Sequence, residues 1–140
     1  GGIIERVCRW AAQTKDHSGD FIINKPWVRD NIARVHTEFE TLKLLCLKQS
    51  WAMQSGNPDM ADSSAAKVFG SEFFVETYRR LLEIVGYAGI LAAGSEGALL
   101  KGKLEHSYRA GSVLTFGGGT NEIQRDIIAA AGLWLPRAAR

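Results

Sequence analysis

The segment from Thr115 to Arg125 carries the residues whose types and spacing best suit chemistry. Its three consecutive glycines, at 117–119, lack a Cβ and let the backbone turn sharply or approach another molecule closely. Thr120 follows them and predicts the N-cap of a helix that runs through Ile123. A glycine loop before a helix N-terminus presents unpaired N–H groups and a positive dipole end, which suit a phosphate. A tight turn that simply begins a helix is the alternative explanation of the same residues.

Other kinds of chemistry have little support in the sequence. The histidines, His17, His36 and His106, are scattered, with no carboxylate or cysteine at ligand spacing. We therefore expect neither a metal site nor a histidine-based nucleophile. Cys8 and Cys46 lie far apart, and buried free thiols in a reducing compartment are expected rather than a disulfide.

The composition is typical of a single globular domain. The 140 residues, 46% of them hydrophobic, are enough to bury one core. The net charge of +2 is close to balanced and makes no electrostatic case for nucleic acid or an anionic membrane. No apolar run approaches the roughly 18 residues of a spanning helix. The opening Gly-Gly-Ile-Ile does not resemble a signal peptide, so we expect a cytoplasmic protein.

Apolar residues recur at steps of three and four along most of the chain, which predicts helices. The longest is predicted between Pro26 and Pro58 and the next over 61–85, with Gly86 at its C-cap. Shorter helices are predicted at three further places, over about 3–15, 104–112 and 121–133. No stretch alternates polar and apolar residues as a strand does. The sequence thus predicts an all-α, up-and-down bundle of four to five helices in one domain, 1–140.

Four motifs, in order, give the chain its resemblance to a known family. They are Pro26-x-Val28-Arg29-Asp30, Ser63-x-Ala65-Ala66-Lys67, Val85-Gly86-Tyr87-Ala88-Gly89 and Gly119-Thr120-x-Glu122-Ile123-Gln124-Arg125. Together they resemble the C-terminal helical domain of the acyl-CoA dehydrogenases, flavoproteins that desaturate acyl-CoA thioesters. The family's N-terminal helical domain and middle β-domain are not in these 140 residues. Within the motifs, Lys67 is expected to be solvated and Arg125 to form an ion pair within its own helix.

The resemblance implies two sets of contacts with a flavin. Thr120, Asn121 and Glu122 match positions that touch the flavin nucleotide in the family. Gly86 and Tyr87 match a second loop, which reaches the cofactor of a neighbouring subunit. A plain helix C-cap is the alternative explanation of the second pair.

The resemblance also shows a departure from the family's usual mechanism. Many members carry a glutamate two residues before the threonine, as the general base for the α-proton, and here that position is Gly118. A glycine side chain has no group that accepts a proton, so we expect no catalytic residue within this chain. Either the base lies on an earlier helix, in a Glu-Arg pair as in some members of the family, or a partner subunit carries it. Glu5-Arg6 has the letters of such a pair but lies too close to Pro26 to match the family spacing, so we expect that base upstream of Gly1.

By resemblance, the full-length protein would bind FAD, oxidise an acyl-CoA to its trans-2-enoyl product, and pass electrons to an electron-transfer flavoprotein. It would act in the β-oxidation of fatty acids or sterol side chains, as a homo- or hetero-oligomer, a dimer or tetramer with this domain in its core. The alternative is a non-catalytic partner subunit that completes the FAD sites structurally. We expect the isolated chain to be inactive, and to self-associate through the apolar surfaces that it exposes.

Overall fold

The computed structural model of the chain describes residues 2–136. Its α-helices are Ile3–Gln13 (α1), Pro26–Gln54 (α2), Met60–Val85 (α3), Tyr87–Ile90 (α4), Lys103–Gly111 (α5) and Asn121–Ile127 (α6). Short 3₁₀ turns lie at Ile22–Asn24, Leu99–Gly102 and Ser112–Thr115, and a π-helical turn at Ile128–Gly132 continues α6. Residues 2–136 contain no β-strand, only an isolated bridge, so the predicted all-α class is confirmed.

The first helix is shorter than its hydrophobic pattern predicts, because the residues after Gln13 form a tight turn. Thr14 has extended dihedral angles, with φ −99° and ψ 133°. Lys15 pairs with Phe21 in the isolated antiparallel bridge. The Ile22 N–H donates to the Thr14 carbonyl at 2.9 Å. Because of these contacts, α1 ends two residues before its predicted end, and the turn leads into the start of α2.

The two long helices are separated by a turn that the sequence predicts from its residue types. Gly56 follows α2 with a φ of +69°. Its N–H donates to the Met53 carbonyl at 3.2 Å, and the Asn57 N–H donates to the Ala52 carbonyl at 3.0 Å. This pair of hydrogen bonds is the Schellman motif, which satisfies the last carbonyl groups of a helix.

Contacts divide the described chain into two compact units. The first unit, 2–37 and 74–111, contains α1, α4, α5, the beginning of α2 and the end of α3. Its core is a cluster of buried aliphatic side chains: Val7, Ala11, Val28, Leu81, Ile84, Val85 and Leu104. This core fixes the end of α3, where Gly86 and Tyr87 lie.

The second unit, 38–73 and 112–136, contains the rest of α2 and α3 together with α6. The side chains buried there are apolar at three positions and polar at three others: Ala61, Val68 and Phe73, and Ser64, Ser71 and Asn121. The rings of Phe39 and Phe73 pack with their centroids 6.2 Å apart. Because half of these buried side chains are polar, the unit depends on hydrogen bonds as well as on apolar burial. Those bonds meet at the loop before α6.

Candidate functional site

The glycine loop at 117–119 makes a tight turn into α6. Gly118 and Gly119 have φ angles of +72° and +94°, which residues with a Cβ rarely adopt. A Cβ on Gly119 would lie 2.8 Å from Nε2 of Gln124. That same Nε2 donates to the Gly118 carbonyl at 3.2 Å. The backbone of this loop therefore requires glycine.

Two backbone donors of the loop have no hydrogen-bond partner. Within residues 2–136, neither the Gly118 N–H nor the Gly119 N–H donates to another group. Gly118 is exposed and Gly119 is half-buried. Free N–H groups on consecutive glycines suit an oxygen-rich ligand such as a phosphate or a carbonyl group.

Thr120 is the N-cap of α6, as predicted. Its hydroxyl oxygen accepts from the Ile123 N–H at 3.3 Å. The pKa of the Glu122 carboxyl lies below its ordinary value, chiefly because the carboxylate accepts from its own backbone N–H and from the Thr120 hydroxyl. The charges of Arg125 and Lys67 act in the same direction. An ionised, exposed Glu122 would repel a phosphate, so it suits a hydroxyl or amino group of a ligand.

The Asn121 side chain is turned into the protein and is only 4% exposed. Its Oδ1 accepts from Nζ of Lys67 at 2.7 Å and from the Ser71 hydroxyl at 3.0 Å. Its Nδ2 donates to Oε1 of Glu72 at 3.3 Å. Because the amide is engaged by α3 at both ends, a ligand would meet Asn121 through its backbone.

Lys67 contacts the glycine loop, which corrects the expectation that this side chain is solvated. Its Nζ donates to the Gly119 carbonyl at 2.8 Å and to the Thr115 carbonyl at 3.4 Å, in addition to the bond with Asn121. An ammonium group has three donors, and these contacts use all of them. Lys67 is half-buried in this position.

The ion pair of Arg125 also differs from the prediction. Arg125 pairs with Glu72 of α3 and not with a residue of its own helix. The Glu72 oxygen that accepts from Arg125 is the one that accepts from Asn121. Lys67, Asn121, Glu72 and Arg125 therefore form one continuous polar network, which we call the loop network.

A signal for the loop network was present in the sequence of α3. Ser64, Lys67 and Ser71 follow one another at steps of three and four, which places them on one face of the helix. Ser64 and Ser71 are both buried. A polar stripe at helical spacing on a face that packs inward could have identified Lys67 as a structural residue. Its partners, 48 to 54 residues away, had no such signal.

Gly86 and Tyr87 lie in the first unit, at the end of α3. Gly86 has a φ of +68°, and its N–H donates to the Leu82 carbonyl at 2.8 Å, so the helix ends there as predicted. Tyr87 begins α4 and is 76% exposed, which leaves its ring free for contact with another molecule. The two predicted sets of flavin contacts thus belong to different units of the chain.

A surface cleft of about 410 Å³ adjoins the end of α3 in the first unit. Its walls include two indole rings, two lysines and the last turn of α3: Trp10, Trp27, Lys15, Lys25, Glu83 and Val85. Lys25 pairs with Asp16 at 2.8 Å and holds the pKa of that carboxyl well below its usual range. Aromatic faces beside cationic groups are suited to a nucleotide.

Residues 2–136 have no metal-binding cluster, no helix suited to cross a bilayer and no disulfide. No cluster of three or more His, Cys, Asp or Glu side chains there could hold a metal ion. None of the described helices is both long enough and apolar enough to cross a bilayer. Cys8 and Cys46 are free thiols, but Cys46 is exposed, which corrects the expectation that both are buried.

Some, but not all, of the predicted residues at the glycine loop have groups that fit a flavin nucleotide. The N–H groups of Gly118 and Gly119 can donate to phosphate or carbonyl oxygens, and the Thr120 hydroxyl lies beside them in the chain. The Glu122 carboxylate can accept from a ribose hydroxyl or an amino group. The Asn121 amide does not fit such a role, because its partners are all in α3.

Comparison with known proteins places the chain in a family. The family model described as "Acyl-CoA dehydrogenase, C-terminal domain" matches residues 1–133. Acyl-CoA dehydrogenase FadE26 of Mycobacterium tuberculosis (strain ATCC 25618 / H37Rv) is 50% identical over 143 residues, which cover 99% of this chain and 36% of FadE26.

Two solved structures are similar over nearly the whole chain. The crystal structure of the ChsE4-ChsE5 complex from Mycobacterium tuberculosis matches with a TM-score of 0.90 and 50% identity, over 96% of this chain and 35% of that one. The Tcur3481-Tcur3483 steroid ACAD matches with a TM-score of 0.89 and 37% identity, over 97% of this chain and 34% of that one.

The described residues form an all-α domain with a glycine loop before its last α-helix. The chain belongs to the acyl-CoA dehydrogenase family and matches the C-terminal domain of that family. The chain spans 36% of the length of FadE26, so the similarity covers only about a third of that relative.

Proposed function

We propose that this chain is the C-terminal domain of an FAD-dependent acyl-CoA dehydrogenase, which converts an acyl-CoA thioester to its trans-2-enoyl-CoA product. The observation that carries the proposal is the loop at 117–120. There, the glycines and threonine of the family motif form a turn with two unbonded N–H groups and a threonine cap. The family match over residues 1–133 supports the same assignment.

The residues of this chain bind and position the cofactor. When bound, the flavin would supply the acceptor for the hydride that leaves the β-carbon of the acyl chain. Thr120 and Glu122 contact the nucleotide of the cofactor, and Asn121 holds these neighbours in place through its bonds to α3. Gly86 and Tyr87 contact the flavin of a neighbouring subunit, and the cleft beside them has the aromatic and cationic groups that suit a nucleotide.

The general base for the α-proton lies outside this chain. Gly118 occupies the position of the usual glutamate, and its φ of +72° disfavours any larger residue there. The base therefore belongs to another part of the full-length protein or to a partner subunit. The isolated chain, which has the loop without the base, is inactive.

The proposed assembly is a hetero-oligomer, either a dimer or a tetramer, that acts on a steroid side-chain thioester. Two similar structures are complexes of two differently named chains, and one of them is described as a steroid ACAD. Electrons from the reduced flavin pass to an electron-transfer flavoprotein. The free thiols of Cys8 and Cys46 fit the reducing conditions of the cytoplasm.

A second candidate function is that of a non-catalytic partner subunit, and Gly118 is the observation that favours it. In this case the chain would complete FAD sites whose catalytic base is supplied by another subunit. Replacement of acidic residues in each subunit of the purified complex distinguishes the two functions. Loss of activity, with flavin retained, on replacement of a residue in the full-length protein itself supports the first, and loss only on replacement of a residue in the partner supports the second.

The flavin contact is tested with Thr120→Val and Thr120→Ser in the full-length protein. Thr120→Val removes the hydroxyl, so we expect the ratio of bound flavin to protein to fall severalfold. Thr120→Ser keeps the hydroxyl and should keep the flavin. Asp59→Ala is the matched control, because it removes the side chain that caps α3 by accepting from the Asp62 N–H at 2.8 Å. Equal flavin content in Thr120→Val and the wild type would contradict the contact.

A further inference from the structure

The carbonyl side and the N–H side of the glycine loop have different surroundings. The carbonyls of Thr115 and Gly119 both accept from Nζ of Lys67. The N–H groups of Gly118 and Gly119 have no partner within residues 2–136. One lysine of α3 thus binds a carbonyl before the loop and the carbonyl at its end, and leaves the N–H groups of Gly118 and Gly119 unused.

Within residues 2–136, Nζ of Lys67 forms no ion pair with a carboxylate. Its three bonds go to two backbone carbonyls and an amide oxygen, all of them neutral. Glu72 is connected to it only through Asn121. A half-buried cation with neutral partners adds positive potential at the loop, which favours electron-rich groups on the exposed side.

The shape of the loop also depends on an external support. Gly118 and Gly119 lack side chains, so the loop has little packing of its own and a large conformational freedom to lose. Bonds within the segment are few: the Gly117 N–H donates to the Val113 carbonyl at 2.8 Å, and Nε2 of Gln124 donates to the Gly118 carbonyl at 3.2 Å. Lys67 connects it to α3, a helix of 26 residues.

We infer that Lys67 is a positioning residue for the glycine loop: it binds the carbonyls of Thr115 and Gly119 and so holds the N–H groups of Gly118 and Gly119, with Thr120, in the geometry that receives the flavin. The part of this inference that concerns flavin rests on the proposed function. The part that concerns the loop stands on the contacts of Lys67 alone.

Amide hydrogen exchange in the full-length protein tests the support of the loop. The reporters are the N–H groups of Gly117 and Gln124, which donate to Val113 and Thr120 within this segment. Lys67→Met removes all three bonds, and we expect the exchange of these amides to become about tenfold faster. Unchanged exchange in this variant would overturn the inference.

Lys48→Met is the matched control, because it makes the same substitution in the same unit. Lys48 forms an ion pair with Asp62 and does not contact the loop. Amide hydrogen exchange over residues 112–124 in Lys48→Met should equal that of the wild type. Lys67→Gln keeps a polar donor but is one bond shorter and has two N–H groups instead of three, so it cannot make all three bonds; it is the second variant if Lys67→Met does not fold. We expect amide exchange in Lys67→Gln to become about threefold faster, and unchanged exchange would overturn the inference.

The rate of flavin dissociation separates the inference from the proposed function. A loosened loop in Lys67→Met should release flavin about tenfold faster, whereas Lys48→Met should not. Faster exchange without faster release overturns the role of Lys67 in flavin positioning. Equal flavin content in Thr120→Val and the wild type, together with faster exchange in Lys67→Met, would reject the proposed site while the support of the loop by Lys67 stands.

Discussion

Nζ of Lys67 lies 2.8 Å from the carbonyl oxygen of Gly119, a residue 52 positions further along the chain. This bond joins the first third of α3 to the loop that carries the family's glycine–threonine motif. Asn121 strengthens the connection, because its buried amide bonds to both Lys67 and Glu72. The position of the candidate site therefore depends on α3 as much as on its own sequence.

Replacement of Asn121 by alanine should destabilise the protein. The substitution leaves the Lys67 ammonium and the Ser71 hydroxyl short of a buried acceptor, and we expect the free energy of unfolding to fall by about 3 kcal/mol. Denaturation by urea, followed by circular dichroism, measures the change. Asn57→Ala, at an exposed turn, should change it by less than about 0.5 kcal/mol. A loss of the same small size for Asn121→Ala would contradict the loop network.

Replacement of Thr77 by valine should stabilise the protein. Thr77 is 2% exposed, and its hydroxyl has no hydrogen-bond partner within the described chain. Valine has the same shape without the buried hydroxyl, so we expect the free energy of unfolding to rise by about 1 kcal/mol. Thr37→Val, at an exposed position where the hydroxyl bonds to the Ala33 carbonyl, is the control and should give no gain. A decrease for Thr77→Val would show that the hydroxyl has a partner.

The ion pairs of α3 predict a loss of stability at acidic pH. The Arg79 guanidinium, with help from Arg80, lowers the pKa of Glu76 from 4.5 to about 2. Because the pKa is lower in the folded state, this contribution is present above pH 4.5 and is lost as the pH falls towards 2. Glu76 is 36% exposed, so solvent screening limits the contribution to about 1 kcal/mol.

Urea unfolding at pH 7 and at pH 2 tests this contribution. Glu76→Gln should be less stable than the wild type at pH 7, and the difference should shrink at pH 2. A difference that is the same at both pH values would contradict the assignment.

Self-association of the isolated chain is predicted from the exposed face of α2. Leu44, Leu47 and Trp51 are more than 60% exposed, and their spacing of three and four places them on one side of the helix. Apolar stripes of this kind are typical of surfaces that another chain covers. Sedimentation equilibrium should show oligomers for the chain and a shift towards the monomer for Leu47→Glu with Trp51→Glu. A wild-type chain that stays monomeric at high concentration would contradict the prediction.

The helices themselves could be predicted from the sequence because their signals are local. Apolar residues at helical spacing placed α2 and α3 to within a few residues, and Gly86 marked the end of α3. The hydrophobic pattern predicts the start of α3 at 61, whereas Asp59 caps the helix one residue before Met60. Several capping residues in a row give competing signals, and only the geometry of the turn decides between them.

The loop network could not be predicted, because its contacts join residues far apart in sequence. Lys67 and Asn121 are separated by 54 positions, and Glu72 and Arg125 by 53. A lysine between small residues on a helix is compatible with solvent exposure, and an arginine three residues after Glu122 is compatible with a local ion pair. In the folded chain, Lys67 and Arg125 instead bond to partners that are far away in the sequence, so neither local explanation holds.

The central claim, that this chain completes a flavin site of an acyl-CoA dehydrogenase, is tested most directly by anaerobic titration of the full-length protein, alone and with its partner subunit. Addition of a steroid side-chain acyl-CoA should bleach the flavin absorbance in proportion to the thioester added, because the bound flavin is reduced. A protein that binds no flavin in either preparation, or a bound flavin that no acyl-CoA reduces, would contradict the account.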